Sequence, residues 1–156
     1  MSAPKAAVSH SAQDGRDPYS ALNGVGTLYA EGGLPLLYSA LKPLLLDQTK
    51  IAGIGNIYAD ESLFRSGIRP ERPASDLNDQ DLDRLAASIR TTLDHAIEAG
   101  GTTLRDHRLP DGSAGTFGSG HLAYGRSGQP CMRCQTPMTG CIVAGRSTTW
   151  CGSCQA

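Results

Sequence analysis

The chain has 156 residues, with 14 Lys and Arg against 15 Asp and Glu, so its net charge of −1 excludes nucleic-acid binding driven by overall basicity. Hydrophobic residues make up 39% and aromatics 5%, which permits a small core, and 19 glycines require frequent turns. No apolar stretch approaches the roughly 20 residues that span a bilayer, and the N-terminus has no continuous apolar segment of the signal-peptide kind. The expectation is a cytoplasmic protein without a membrane partner.

Residues 1–32 are rich in Ala, Ser, Gly and Asp without a sustained period. The first 16 read as disordered, and from Asp17-Pro18 onward Leu22, Leu28 and Tyr29 have the chance to pack on the helical stretch after them. Residues 33–101 read as helical. Leu36, Leu37, Ala40, Leu41, Leu44 and Leu45 form an apolar stripe in which Pro43 kinks or restarts the helix. Lys50 to Asn56 is a turn, and a second helix is expected from Ile57 to Gly67, with Asp60 and Glu61 in its early turns and Pro70 just beyond its end. In the third helix Leu82, Leu85, Ile89, Leu93 and Ile97 recur at spacings of three and four. Asn78 suits its N-cap, Asp79 and Asp81 suit the positive end of its dipole, and Gly100-Gly101 ends it. Residues 102–129 carry turn chemistry, with Pro110-Asp111-Gly112, Gly115, Gly118 and Gly120.

All five cysteines fall in the last 26 residues. Cys131-x2-Cys134, 16 intervening residues and Cys151-x2-Cys154 make the two-knuckle spacing of a zinc site. Four thiolates close a tetrahedron and leave no open position, so the expected Zn²⁺ is single and structural. Two disulfides, four free thiols and redox chemistry are the competing readings of the same residues. Cys141 lies in the spacer and matches no ligand spacing. Around it, Ile142-Val143 and Thr148 to Trp150 are strand formers flanking Ala144-Gly145, a hairpin with Arg146 near its tip. A tip arginine is either a solvated residue or a bidentate grip on phosphate. Residues 101–156 hold five Arg against two Asp, a locally cationic surface on a neutral chain.

Gly53-Ile54-Gly55-Asn56-Ile57-Tyr58 resembles a dinucleotide-binding loop, but Tyr58 stands where the last glycine belongs and no strand precedes it. The glycines fit a tight reversal into a helix. Asn56 is then a plain N-cap, or a cap whose carboxamide NH₂ also donates outward to an anion at the helix N-terminus. Lys42 and Lys50 read equally as solubilising surface residues.

Leu41-Lys42-Pro43-Leu44, Gly53 to Glu61, Gly100 to Leu104, Tyr124-Gly125-Arg126 and the cysteine module occur in one family's order, and the stretch from 34 to 156 resembles the C-terminal half of formamidopyrimidine-DNA glycosylase and endonuclease VIII. The resemblance implies a mainly α fold, a helix–two-turn–helix bundle followed by a small zinc-stapled β-hairpin finger. It divides the chain into an N-terminal extension (1–32), a helix–two-turn–helix domain with its following loop (33–122) and the finger (123–156). It assigns phosphate contacts on double-stranded DNA, damaged or abasic, to Lys42, Asn56 and Arg146, and it leaves room for a repair-protein partner. The family's N-terminal Pro-Glu pair and β-sandwich have no counterpart in a chain beginning Met1-Ser2-Ala3-Pro4. The expectation is therefore damaged-DNA binding related to base-excision repair, without glycosylase activity of its own. A residual abasic-site lyase and a repurposed protein-binding module are the alternatives.

Overall fold

The computed structural model describes residues 40–101 and 115–156. The expectations for the N-terminal 32 residues, for Leu36 and Leu37, and for the loop residues 102–114 lie outside the described residues.

Helix α1 (Leu41–Leu46) is a single short turn and a half. Pro43 is its third residue, inside the first turn where an N–H needs no intrahelical partner, so the proline restarts the chain as a helix and does not kink one. Residues 70–72 take up the first donors: the Leu41 N–H donates to Arg72 O (2.9 Å) and the Lys42 N–H to Pro70 O (3.0 Å). In the turn after α1, Gln48 donates to Ile54 O (2.9 Å) and accepts from the Gly53 N–H (3.0 Å), while Asp47 Oδ1 accepts from the Thr49 N–H (2.9 Å).

Helix α2 (Asn56–Ser66) ends at Gly67, whose φ of 72° is left-handed and whose N–H returns to the carbonyls of Leu63 and Phe64. A Cβ on Gly67 would also stand 3.2 Å from the Cys154 carbonyl, so the site demands glycine twice over. Helix α3 (Asp79–Glu98) begins with a capping box in which Asn78 and Asp81 satisfy each other's N–H groups, and Arg72 and Arg84 neutralise the Asp81 carboxylate. Its inward face carries Leu85, Ile89, Thr92 and Ala96, while Ile97 is 65% exposed. Successive steps of four drift by about 40° each, which carries Ile97 roughly 120° around from Leu85. The expected stripe therefore leaves the core at its last member.

Two apolar clusters share α2. Leu63 packs with Leu41, Leu45, Ile51, Ile54, Leu85 and Ile89, whereas its neighbour Phe64 packs with Ala123, Cys131, Met138 and Cys151. The second cluster underlies the antiparallel hairpin β1 (Thr139–Val143) and β2 (Arg146–Trp150), in register Val143 with Arg146 and Thr139 with Trp150. The guanidinium of Arg133, between the first two cysteines, stacks 4.6 Å over Phe64 and donates to Phe64 O (3.1 Å) and Arg65 O (3.3 Å). It thus caps the negative end of α2 from the cysteine module. Gln155 closes the arrangement, accepting from the Cys151 N–H (2.8 Å) and donating to Ile68 O (2.9 Å).

The hairpin turn uses Ala144 at φ 49° and Gly145 at φ 73°, the doubly left-handed pair of a type I′ turn. Alanine is strained there by about 1–2 kcal/mol, whereas asparagine tolerates the region. Ala144→Asn is expected to stabilise the chain by roughly 0.5–1 kcal/mol in a calorimetric melt.

Candidate nucleic-acid interface and metal centre

The Sγ atoms of Cys131, Cys134, Cys151 and Cys154 lie within 4.8 Å of one another, with Cys131 to Cys154 at 3.9 Å and Cys134 to Cys151 at 3.5 Å. These separations exceed the ~2.05 Å of a disulfide. They match the ~3.8 Å edge of a tetrahedron with ~2.3 Å metal–sulfur bonds. Hydrogen bonds from Thr136 hold the Cys134 thiol down at about 6, while burial and the neighbouring thiols push Cys154 up to about 12. Four thiols so crowded do not all ionise without a cation among them, so the cluster is built to hold a metal ion. Cys141 stands outside it, half-buried on β1.

The three other expected site residues converge on the turn of the hairpin. Lys42 is 0% exposed, and its ammonium meets three acceptors: Asp60 Oδ1 (2.6 Å), Thr148 Oγ1 (2.7 Å) and Ser147 O (2.9 Å). A lysine has three N–H donors, so none is left over. The surface placement considered for Lys42 is thus overturned, and the phosphate contact implied for it meets a side chain with no path to solvent. Asp60, 1% exposed, also accepts from the Thr149 N–H (3.2 Å). Asn56 donates through Nδ2 to Ser147 O (3.0 Å). The Ser147 carbonyl is therefore clamped by two side chains, one from α1 and one from α2.

Asn56 is not the N-cap. Gly55 takes that position in extended conformation, Asn56 is the first helical residue, and no side chain caps the helix. One step of rotation turns the Asn56 carboxamide away from the helix end and across to the hairpin. The first intrahelical bond runs from the Ala59 N–H to Gly55 O, so the N–H groups of Asn56, Ile57 and Tyr58 have no intrahelical acceptor. They border an open cleft of about 570 Å³, lined by Gly55 to Tyr58 on one side, Gly145, Arg146 and Ser147 on the other, and Tyr124 beside them. Arg146 is the exposed first residue of β2.

Asp60, Glu61 and Ser147 are the residues that the motif reading passes over. Asp60 and Glu61 lie in the early turns of α2 as expected, and both are buried. Their signal was present in the spacing, because Asp60 shares a helix face with Leu63 and Phe64, and a charge on an apolar face calls for a partner. Ser147 acts through its carbonyl, which no sequence pattern reveals.

An uncapped helix N-terminus and an exposed arginine line one cleft, beside four cysteines positioned to hold a metal ion at the base of a β-hairpin finger. The family described as "Formamidopyrimidine-DNA glycosylase H2TH domain" matches residues 29–108. Formamidopyrimidine-DNA glycosylase of Geobacillus kaustophilus is 48% identical over 116 residues, covering 74% of this chain and 42% of that protein. The Thermus thermophilus protein of the same name is 50% identical over 117 residues, 74% of this chain and 44% of its own length. Among solved structures, MutM (FPG) of Thermus thermophilus superposes with a TM-score of 0.75 at 42% identity, covering 88% of this chain and 50% of that one. A Lactococcus lactis FPG in complex with abasic-site DNA superposes with a TM-score of 0.73 at 33% identity, covering 88% and 48%. The chain belongs to the formamidopyrimidine-DNA glycosylase family, and it spans less than half the length of the curated relatives it matches.

Burial pushes Asp60 up to about 6, although Lys42 and the Thr149 N–H pull the other way, and burial pushes Lys42 down. A carboxyl raised on folding contributes stability below its unfolded pKa and loses it as pH rises through about 6, so at neutral pH the Asp60 charge depends on Lys42. Lys42→Met leaves that charge unpaired, at a cost of about 3–5 kcal/mol near neutral pH. The deficit is expected to shrink towards pH 5, where Asp60 is protonated, in denaturant unfolding measured at both pH values.

Proposed function

We propose that the chain binds double-stranded DNA through its sugar–phosphate backbone at damaged or abasic sites, in base-excision repair. The observation that carries this reading is the cleft itself. Three N–H groups without an intrahelical acceptor, at the positive end of the 11-residue α2, line the same cleft as the exposed Arg146, an arrangement complementary to a phosphate. Asn56 stands at the same helix start, its carboxamide donating to Ser147 O (3.0 Å) and Ser147 Oγ (3.4 Å), so that it ties the hairpin to the cleft. Lys42 takes an indirect part, holding Ser147 and Thr148 so that Arg146 stands at a fixed height. The Lactococcus lactis relatives solved with Fapy-dG-containing DNA and with abasic-site-containing DNA support the choice of lesion-bearing DNA.

Among the described residues, those lining the cleft offer N–H donors and a guanidinium, and Lys42 lies buried behind them with its donors engaged. Contacts of this kind to the sugar–phosphate backbone set position without reading sequence. A single Zn²⁺ held by Cys131, Cys134, Cys151 and Cys154 is structural. It joins the knuckles that carry the hairpin, and all four protein ligands leave no position for substrate. Among the described residues no helix is long and apolar enough to cross a membrane. The reading places the protein with its DNA in the cytoplasm.

The test is anisotropy titration of the zinc-loaded chain on a duplex with one abasic-site analogue, at several salt concentrations. Arg146→Ala is expected to weaken binding about 10–100-fold and to flatten the slope of log K against log salt by about 0.9, the loss of one phosphate contact. Asn56→Ala is expected to weaken binding several-fold with the slope unchanged, and chelation of the metal to lower affinity while α3 keeps its helical signal. Wild-type affinity that does not respond to salt would overturn the reading.

A further inference from the structure

Glu61 is fully buried on α2, next to Asp60. Its carboxylate receives three consecutive backbone N–H groups. Oε1 accepts from Leu122 (3.0 Å), Ala123 (2.8 Å) and Tyr124 (2.9 Å), and Oε2 accepts again from Leu122 (2.9 Å). Successive N–H groups converging on one point form an anion-binding nest, and here the anion is a side chain of the same protein. The nest carries Tyr124, which lines the cleft between α2 and the hairpin.

The rings repeat the connection. Tyr58, on the cleft side of α2, meets Phe117 edge-on at 5.6 Å, Phe117 meets His121 at 5.3 Å, and His121 meets Tyr124 at 5.4 Å. This contact chain starts on one wall of the cleft and ends on another. Adjacent carboxylates of α2 thus hold opposite sides of one opening: Asp60 holds the hairpin side through Thr149 and Lys42, and Glu61 holds the Tyr124 side.

We infer that Glu61 is a positioning residue of the DNA cleft, fixing the main chain of Leu122 to Tyr124 so that the wall bearing Tyr124 stands where the phosphate-binding groups require it. The inference rests on the proposed DNA-binding reading of that cleft. Replacing the carboxylate by a carboxamide keeps the volume but removes the charge that three N–H groups converge on; its one oxygen takes the Oε1 place, and its NH₂ then stands at the Oε2 place against the Leu122 N–H, donor to donor.

The experiment compares full-length, zinc-loaded wild type with Glu61→Gln well below its melting temperature, by amide NMR and by affinity for the abasic-analogue duplex. The expected result is displaced amide resonances at Leu122 to Tyr124, unchanged metal content and helicity, and DNA affinity lower by about tenfold. A purely structural role predicts a lower melting temperature with affinity within twofold of wild type, and that result would overturn the inference while leaving the DNA reading intact. Absence of wild-type DNA affinity would instead overturn the cleft assignment and the inference with it. If Glu61→Gln does not fold, an ester in place of the amide at Ala123 removes one donor from the nest without touching Glu61. Several-fold weaker DNA binding by the ester chain supports the role, and unchanged binding contradicts it.

Discussion

A lysine ammonium and an aspartate carboxylate, both withdrawn from water, join the helical part of this protein to its hairpin. Taking two such charges out of solvent costs several kcal/mol each, and their attraction together with added hydrogen bonds roughly offsets it. The arrangement is therefore poor as a source of net stability. Its value lies in geometry: Lys42 comes from α1, Asp60 from α2, and the acceptors Ser147 and Thr148 from β2. A hairpin moved from this place would leave these groups unpaired, and an unsatisfied charge there is strongly penalised. The pair fixes where the hairpin turn sits over the start of α2.

That placement makes the cleft. A helix start without a side-chain cap is ordinarily a small defect, since several N–H groups go unsatisfied. Here Gly55 gives no cap, and the defect is turned towards Arg146 across an open space. An anionic ligand satisfies both at once. The cysteine module reinforces the same geometry from the far end of α2, where Arg133 stacks on Phe64 and donates to the last carbonyls. One helix thus takes instruction at both ends from the metal-stapled finger, and Leu63 and Phe64 point into different cores. Loosening the finger should accordingly disturb the cleft before it disturbs α3, which has its own capping box and its own apolar face.

Local chemistry was readable in the residue string where it depends on near neighbours. The four-cysteine spacing, the Asn78 cap, the glycine stop at Gly67 and the Ala144-Gly145 turn all act over a few positions, and the structure has them where expected. Contacts between distant segments were less legible. Lys42 and Ser147 are separated by 105 positions, and Glu61 and Leu122 by 61. Nothing in either local window shows that a charge there is buried. Lys42 read as surface or as phosphate ligand because lysine is seldom buried, and the Asp60 carboxylate, with Ser147 O and Thr148 Oγ1, makes its burial tolerable. Asn56 read as a cap because asparagine before a helix commonly is one, yet the glycine before it took the cap position.

The central claim is that the start of α2 and the hairpin turn form one phosphate site, not two neighbouring surfaces. A double-mutant cycle on DNA affinity with Asn56→Ala, Arg146→Ala and the combined variant measures this directly. The account predicts non-additive losses, with a coupling free energy above about 0.5 kcal/mol, because both residues grip the same group. Strictly additive losses would mean that the two sides of the cleft act on DNA independently, and would contradict it.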